Sequence, residues 1–167
     1  LTHVRAKELC ELLISFVALP CLLSAEPQKL KLGVSPGLRF DKVRFQVPAG
    51  SDVQLMLFNT DQMMHNLVIV RPGTLTKVVA DALALAEKGP EMHFVPKSDD
   101  VLWHTNVLAP GERAKLEFKA PDEEGIYPFV CTYPGHGFMM FGALYVGDQK
   151  LPPLDEDKNV PPPLPVE

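Results

Sequence analysis

The chain has 167 residues, 46% of them hydrophobic, and 16 basic against 21 acidic side chains give a formal charge of −5. That apolar content suffices for one core of ordinary size plus short extensions, so one domain is expected rather than two. With no Lys/Arg excess the chain lacks the electrostatic footprint of a nucleic-acid binder, and 17 prolines against 11 glycines favour strands and turns over helices.

Residues 1–25 place Arg5 and Lys7 ahead of an apolar run over 12–23, and Leu23-Ser24-Ala25 stands before Glu26. This order predicts a signal peptide cleaved after Ala25 and a periplasmic or secreted product. The alternative is a retained membrane anchor, but about 12 apolar residues fall short of the roughly 20 that a spanning helix requires. No stable membrane span is therefore expected in the mature protein. Pro20 is not the small residue that a lipidated Cys21 wants, and Glu8 and Glu11 are atypical of a leader. Cleavage removes Cys10 and Cys21 and leaves Cys131 alone. A lone thiol in an oxidising compartment is buried, reactive or held by a metal.

Across residues 26–149 short apolar-alternating runs recur at 29–34, 38–47, 52–60, 65–70, 101–108, 113–119, 126–131 and 140–146. Turn signals such as Pro48-Ala49-Gly50 and Ala109-Pro110-Gly111 separate them. About eight short strands so punctuated predict an all-β sandwich or barrel. Val53, Leu55 and Leu57 share one strand face, as do Leu116 and Phe118 on another strand, and these faces should meet in the core. Leu75, Val78, Val79, Leu83 and Leu85 fall near helical spacing, which predicts one inserted helix of about four turns within 74–88, with Thr74 as N-cap and Gly89-Pro90 as stop. Over 150–167 proline and charge dominate without a core pattern, so an extended tail or linker is expected.

The chemistry concentrates near the end of the domain. Cys131-Thr132-Tyr133-Pro134-Gly135-His136-Gly137-Phe138-Met139-Met140 places a thiolate, an imidazole and a thioether within ten residues. Soft sulfur with borderline nitrogen selects copper, and two histidines with a cysteine and a long axial methionine form the blue-copper arrangement. The second histidine must come from elsewhere, and His65 in Met63-Met64-His65-Asn66 supplies it. Pro134-Gly135 makes a tight turn that brings His136 back toward Cys131. His93 and His104 are open to a second metal site or to ordinary surface and structural roles; the latter fits two histidines in separate segments better.

These residues resemble the azurin and plastocyanin family of cupredoxins, with azurin the nearer pattern. The resemblance spans roughly residues 30 to 147 and rests on Cys-Thr-Tyr-Pro-Gly-His, on Met140 four residues after His136, on Met-Met-His-Asn, and on Val-Leu-Trp-His-Thr followed by Pro-Gly-Glu. It implies a Greek-key β-sandwich of the cupredoxin type and one type 1 copper held by His65, Cys131, His136 and Met140. It also implies a distant axial contact from the Met64 carbonyl, where azurin-like sites have glycine, and hydrogen-bonded support from Asn66 and Thr132. The azurin disulfide has no counterpart, since no second cysteine follows residue 25. Met139 competes for the axial role, but the azurin spacing favours Met140.

A closed four-ligand site has no vacant position for a substrate, so an electron carrier cycling Cu(II) and Cu(I) is expected rather than an enzyme. His136 is the expected electron port, within an apolar patch of Met63, Tyr133, Pro134, Phe138 and Met139 suited to a short-lived complex with a redox protein, either a cytochrome or an oxidoreductase. Two alternatives remain open: a relay domain of a larger oxidoreductase tethered by the tail, and a copper storage or delivery protein.

Overall fold

The alternating runs fold as nine strands in a computed structural model that describes residues 26–163. The leader assigned to 1–25 and the last four residues of the tail lie outside the described residues. The strands are β1 (Gln28–Ser35), β2 (Arg39–Phe40), β3 (Arg44–Val47), β4 (Asp52–Phe58), β5 (Val68–Val70), β6 (Val101–His104), β7 (Arg113–Lys119), β8 (Gly125–Val130) and β9 (Phe141–Val146). One sheet runs β2-β1-β4-β7 and the other β3-β9-β8-β5-β6. Within them β1 and β4 are parallel, as are β3 and β9, and the remaining pairs are antiparallel.

The ninth strand arises because the run over 38–47 does not stay in one sheet. Arg39 and Phe40 pair with β1, and the chain then leaves at Asp41, whose carboxylate accepts the Gly33 amide at 2.8 Å. It re-enters the opposite sheet as β3. A bridge between sheets of this kind is invisible to a period-two pattern, because both halves alternate correctly.

Register sets the core. β4 opposes β7 with Val53 beside Phe118 and Leu55 beside Leu116. Leu32, Leu55 and Leu57 of one sheet pack with Ile69, Phe129, Leu144 and Val146 of the other in a single buried cluster. Each such side chain contributes about 1.5–3 kcal/mol on removal from water. The five-stranded sheet is also buried on its outer face, which explains the unbroken apolar runs of β5 and β9. Val68, Val70 and Val130 are covered by Val78, Val79 and Val95, and Ala143 and Tyr145 by Val160.

Two expectations are corrected here. The helix α1 (Leu75–Leu83) has nine residues, not four turns, because Leu83 already faces solvent and Ala86 adopts φ 46°, which an α-helix cannot contain. Two 3₁₀ turns, Ala86–Lys88 and Pro90–Met92, carry the chain onward. Thr74 does stand at the N-cap, its carbonyl accepting the Val78 amide at 3.0 Å, but its hydroxyl donates back to the Arg71 carbonyl and makes no side-chain cap. Residues 151–163, within the stretch expected as an extended tail or linker, lie against the sandwich: Val160 and Asp157 are buried, and the Tyr145 hydroxyl donates to both Asp157 oxygens at 2.8 Å. The outer face of β9 is apolar apart from that phenol, and the tail supplies both its cover and its acceptor.

Candidate metal centre

Cys131 directly follows β8, and its amide donates to the Met140 carbonyl at 2.9 Å, closing the loop to β9 at its base. Inside the loop Gly135 takes φ 81°, a conformation open to glycine, and a 3₁₀ turn from His136 to Phe138 follows. The Met140 amide donates to the His136 carbonyl at 2.8 Å, which fixes the histidine relative to both loop ends. Gly137 is wedged between α1 and the loop: a Cβ there would lie 2.7 Å from the Val79 side chain and 3.1 Å from the Cys131 carbonyl.

His65 comes from the loop between β4 and β5. It lies outside the β5 ladder, contrary to the strand expected over 65–70, and instead exchanges two backbone hydrogen bonds with Leu108, at 3.1 and 2.7 Å. Asn59 braces this loop by donating to the Met63 and Leu108 carbonyls.

These elements bring three donor atoms to one point. His65 Nδ1 and His136 Nδ1 are 3.2 Å apart, and the Cys131 Sγ lies 3.8 Å from the first and 3.6 Å from the second. The point equidistant from atoms so spaced is about 2.1 Å from each, in the range of metal–imidazole and metal–thiolate bonds. His65 and Cys131 are fully buried and His136 is 6% exposed. Among the described residues this is the one cluster of histidine, cysteine and carboxylate groups placed for a metal, and His93 and His104 are not part of it.

Charge supports the fit. Burial first, and then neighbouring His65, push His136 below the usual imidazole range, keeping it neutral with a free lone pair. Burial pushes the Cys131 thiol up to about 11, against the opposing influence of the Asn66 and Tyr133 amides, so a metal must displace its proton at neutral pH. A mononuclear soft cation answers both conditions.

Met140 is completely buried beside these ligands in sequence, whereas Met139 is half-exposed. Asn66 and Thr132 hydrogen-bond reciprocally: the Asn66 amide donates to Thr132 Oγ1 at 2.8 Å, and the Thr132 amide donates to Asn66 Oδ1 at 2.8 Å. The same Asn66 amide group also donates to the His93 carbonyl. Met63, Met64, Pro134, Phe138 and Met139 are exposed around the loops, and Tyr133, half-buried, packs its ring 4.9 Å from that of His136. One residue escaped the sequence reading. Asp61 reaches His65 Nε2 at 3.0 Å, and its position four residues before His65 was the available signal.

The fold and this donor set define a cupredoxin. A family profile described as copper binding proteins of the plastocyanin/azurin family matches residues 28–147. The chain belongs to that family, and copper is its cofactor. It is similar to outer membrane protein H.8 of Neisseria meningitidis serogroup B, 34% identical over 52% of this chain and 46% of that protein. The chain thus spans about half the length of that relative. Auracyanin-A of Chloroflexus aurantiacus is 32% identical over 65% of this chain and 67% of that one, and its structure, a "blue" copper protein, superposes with a TM-score of 0.67 at 28% identity over 73% and 100% of the two chains. Auracyanin from Roseiflexus castenholzii superposes with a TM-score of 0.65 at 31% identity, over 74% of this chain and all of the other.

Proposed function

We propose that this chain is an exported blue-copper electron carrier, not an enzyme. The observation that carries the reading is the triangle of two Nδ1 atoms and one thiol sulfur, which fits a single metal at bonding distance from all three. His65, Cys131 and His136 would hold the copper, with Met140 as a weaker fourth ligand and the Met64 carbonyl as a more distant contact. Bound copper supplies a one-electron couple between Cu(II) and Cu(I). The chain does the rest. A loop closed by the Cys131–Met140 hydrogen bond and locked by Asn66 would hold the donor atoms in place as the ion changes charge, which would keep reorganisation small.

His136, with its slight exposure, is the electron port, and Met63, Phe138 and Met139 around it form a docking face for a redox protein. No described helix is long and apolar enough to cross a membrane. The order of charge, apolar run and small residues in 1–25 supports export, as does a relative named as an outer membrane protein.

Titration of the metal-free protein with Cu(II) tests the reading. One copper per chain is expected, with intense visible absorption and the compressed EPR hyperfine splitting of a type 1 site. Two coppers, or a colourless adduct, would overturn it. Reversible one-electron exchange with a partner separates a carrier from a copper store.

A further inference from the structure

We propose that Asp61 is a positioning residue for the metal centre: its carboxylate fixes the tautomer of His65 and biases the site toward the higher oxidation state. This rests on the copper reading above.

The geometry is built rather than incidental. Asp61 Oδ2 lies 3.0 Å from His65 Nε2, the ring nitrogen that points away from the Cys131 sulfur. The other oxygen, Oδ1, accepts the Gln62 amide at 2.7 Å, and the Asp61 amide donates to Asn59 Oδ1 at 3.1 Å. Asn59 in turn donates to the Leu108 carbonyl that also accepts the His65 amide. Carboxylate and imidazole therefore hang from one hydrogen-bonded frame. The Asp61 side chain is 14% exposed and that of His65 is fully buried, so solvent competes little for the contact. Among the described residues His136 has no such carboxylate partner.

An ionised carboxylate only accepts, so Nε2 must carry the proton and Nδ1 keeps its lone pair for the metal. The negative charge also makes the imidazole a stronger donor and attracts the doubly charged ion more than the singly charged one. The two histidines thus divide the work. His65 is anchored and electronically tuned by a hydrogen-bonded carboxylate, while His136, 6% exposed, feels the same Asp61 charge only at a distance.

The experiment compares the wild type with Asp61→Asn and Asp61→Ala at pH 7. Asn keeps an acceptor but removes the charge: copper should bind with an unchanged spectral type, while the Cu(II)-to-Cu(I) affinity ratio falls about tenfold, a rise of about 59 mV for one electron. Ala removes the acceptor as well, and Cu(II) affinity should fall about 10- to 100-fold. In the metal-free proteins, nitrogen NMR of His65 should show one Nε2-protonated tautomer in the wild type and a mixture in Asp61→Ala. An unchanged or lowered potential in Asp61→Asn, or an undisturbed tautomer in Asp61→Ala, overturns the inference. Failure of the wild type itself to form a blue site would instead defeat the copper-carrier reading, and the tautomer measurement still decides the role of Asp61.

Discussion

Asn66 joins three segments through one side chain, reaching Thr132 twice away from solvent and the partly buried His93 carbonyl once. Truncation by Asn66→Ala strands the Thr132 amide and the His93 carbonyl, and unsatisfied buried groups cost about 1–3 kcal/mol each. Urea unfolding of the metal-free protein should register a loss of about 2–4 kcal/mol, and the EPR lines of the copper form should broaden as the Cys131 loop loosens. The two adjacent methionines separate just as sharply. Met140 is buried and Met139 is 52% exposed, so Met140→Leu should keep the colour and shift the potential, while Met139→Leu should leave both in place. A larger shift from Met139→Leu, read by voltammetry, would reassign the axial ligand. At this scale the chemistry of Cys131, His136 and Met140 was legible because their donor types crowd into ten residues. Asp61 was not, because its meaning depends on Leu108 gripping the His65 backbone from far along the chain.

Among the elements, strand faces were readable wherever one side meets solvent, as along β4 and β7, where alternation survives intact. It failed where both faces are buried or where a segment's role is to cover another. The stretch 151–163 looks polar and proline-rich, yet its Asp157 is fully buried at the side chain, accepting from Tyr145, from Asn159 and from Arg44 at 3.2 Å. Burial alone would raise this carboxyl, but those donors outweigh it and hold it below the usual carboxylate range. A depressed native value means the unfolded chain binds the proton first. The stabilisation is therefore complete above about pH 4, the unfolded value, and is lost as pH falls through the native one. Asp157→Ala should lower stability at pH 7 by about 2–3 kcal/mol, since it leaves the Tyr145 hydroxyl without its acceptor. Denaturation midpoints measured from pH 7 to pH 3 should fall more steeply for the wild type than for Asp157→Asn, and parallel curves would show that the tail carries no such linkage.

For the molecule as a whole, the question is whether the metal makes the fold or the fold makes the site. The cluster that joins the two sheets, from Leu32 and Leu57 to Phe129 and Val146, includes Cys131 and Met140, but its strands are paired in both sheets independently of any ligand bond. A domain that buries this much apolar surface does not need metal to fold, unlike a small zinc module whose binding energy is its folding energy. The three donor atoms are then held in place by loops anchored on a finished sandwich, and metal binding adds stability only by mass action, about 4.1 kcal/mol at a thousandfold excess over Kd. Cys131→Ser makes the test. It exchanges sulfur for oxygen in a buried position, removing the thiolate-to-Cu(II) charge transfer behind a blue colour while keeping nearly the same shape. The variant should be soluble, give the far-ultraviolet dichroism of the wild type, and remain colourless or pale with copper, and removal of copper from the wild type should likewise leave that dichroism unchanged. His93→Ala and His104→Ala, which lie outside the donor cluster, should stay blue. A Cys131→Ser protein or a metal-free wild type with the spectrum of an unfolded chain would show that copper builds this sandwich, and a bleached control would show that the donor triangle is incomplete.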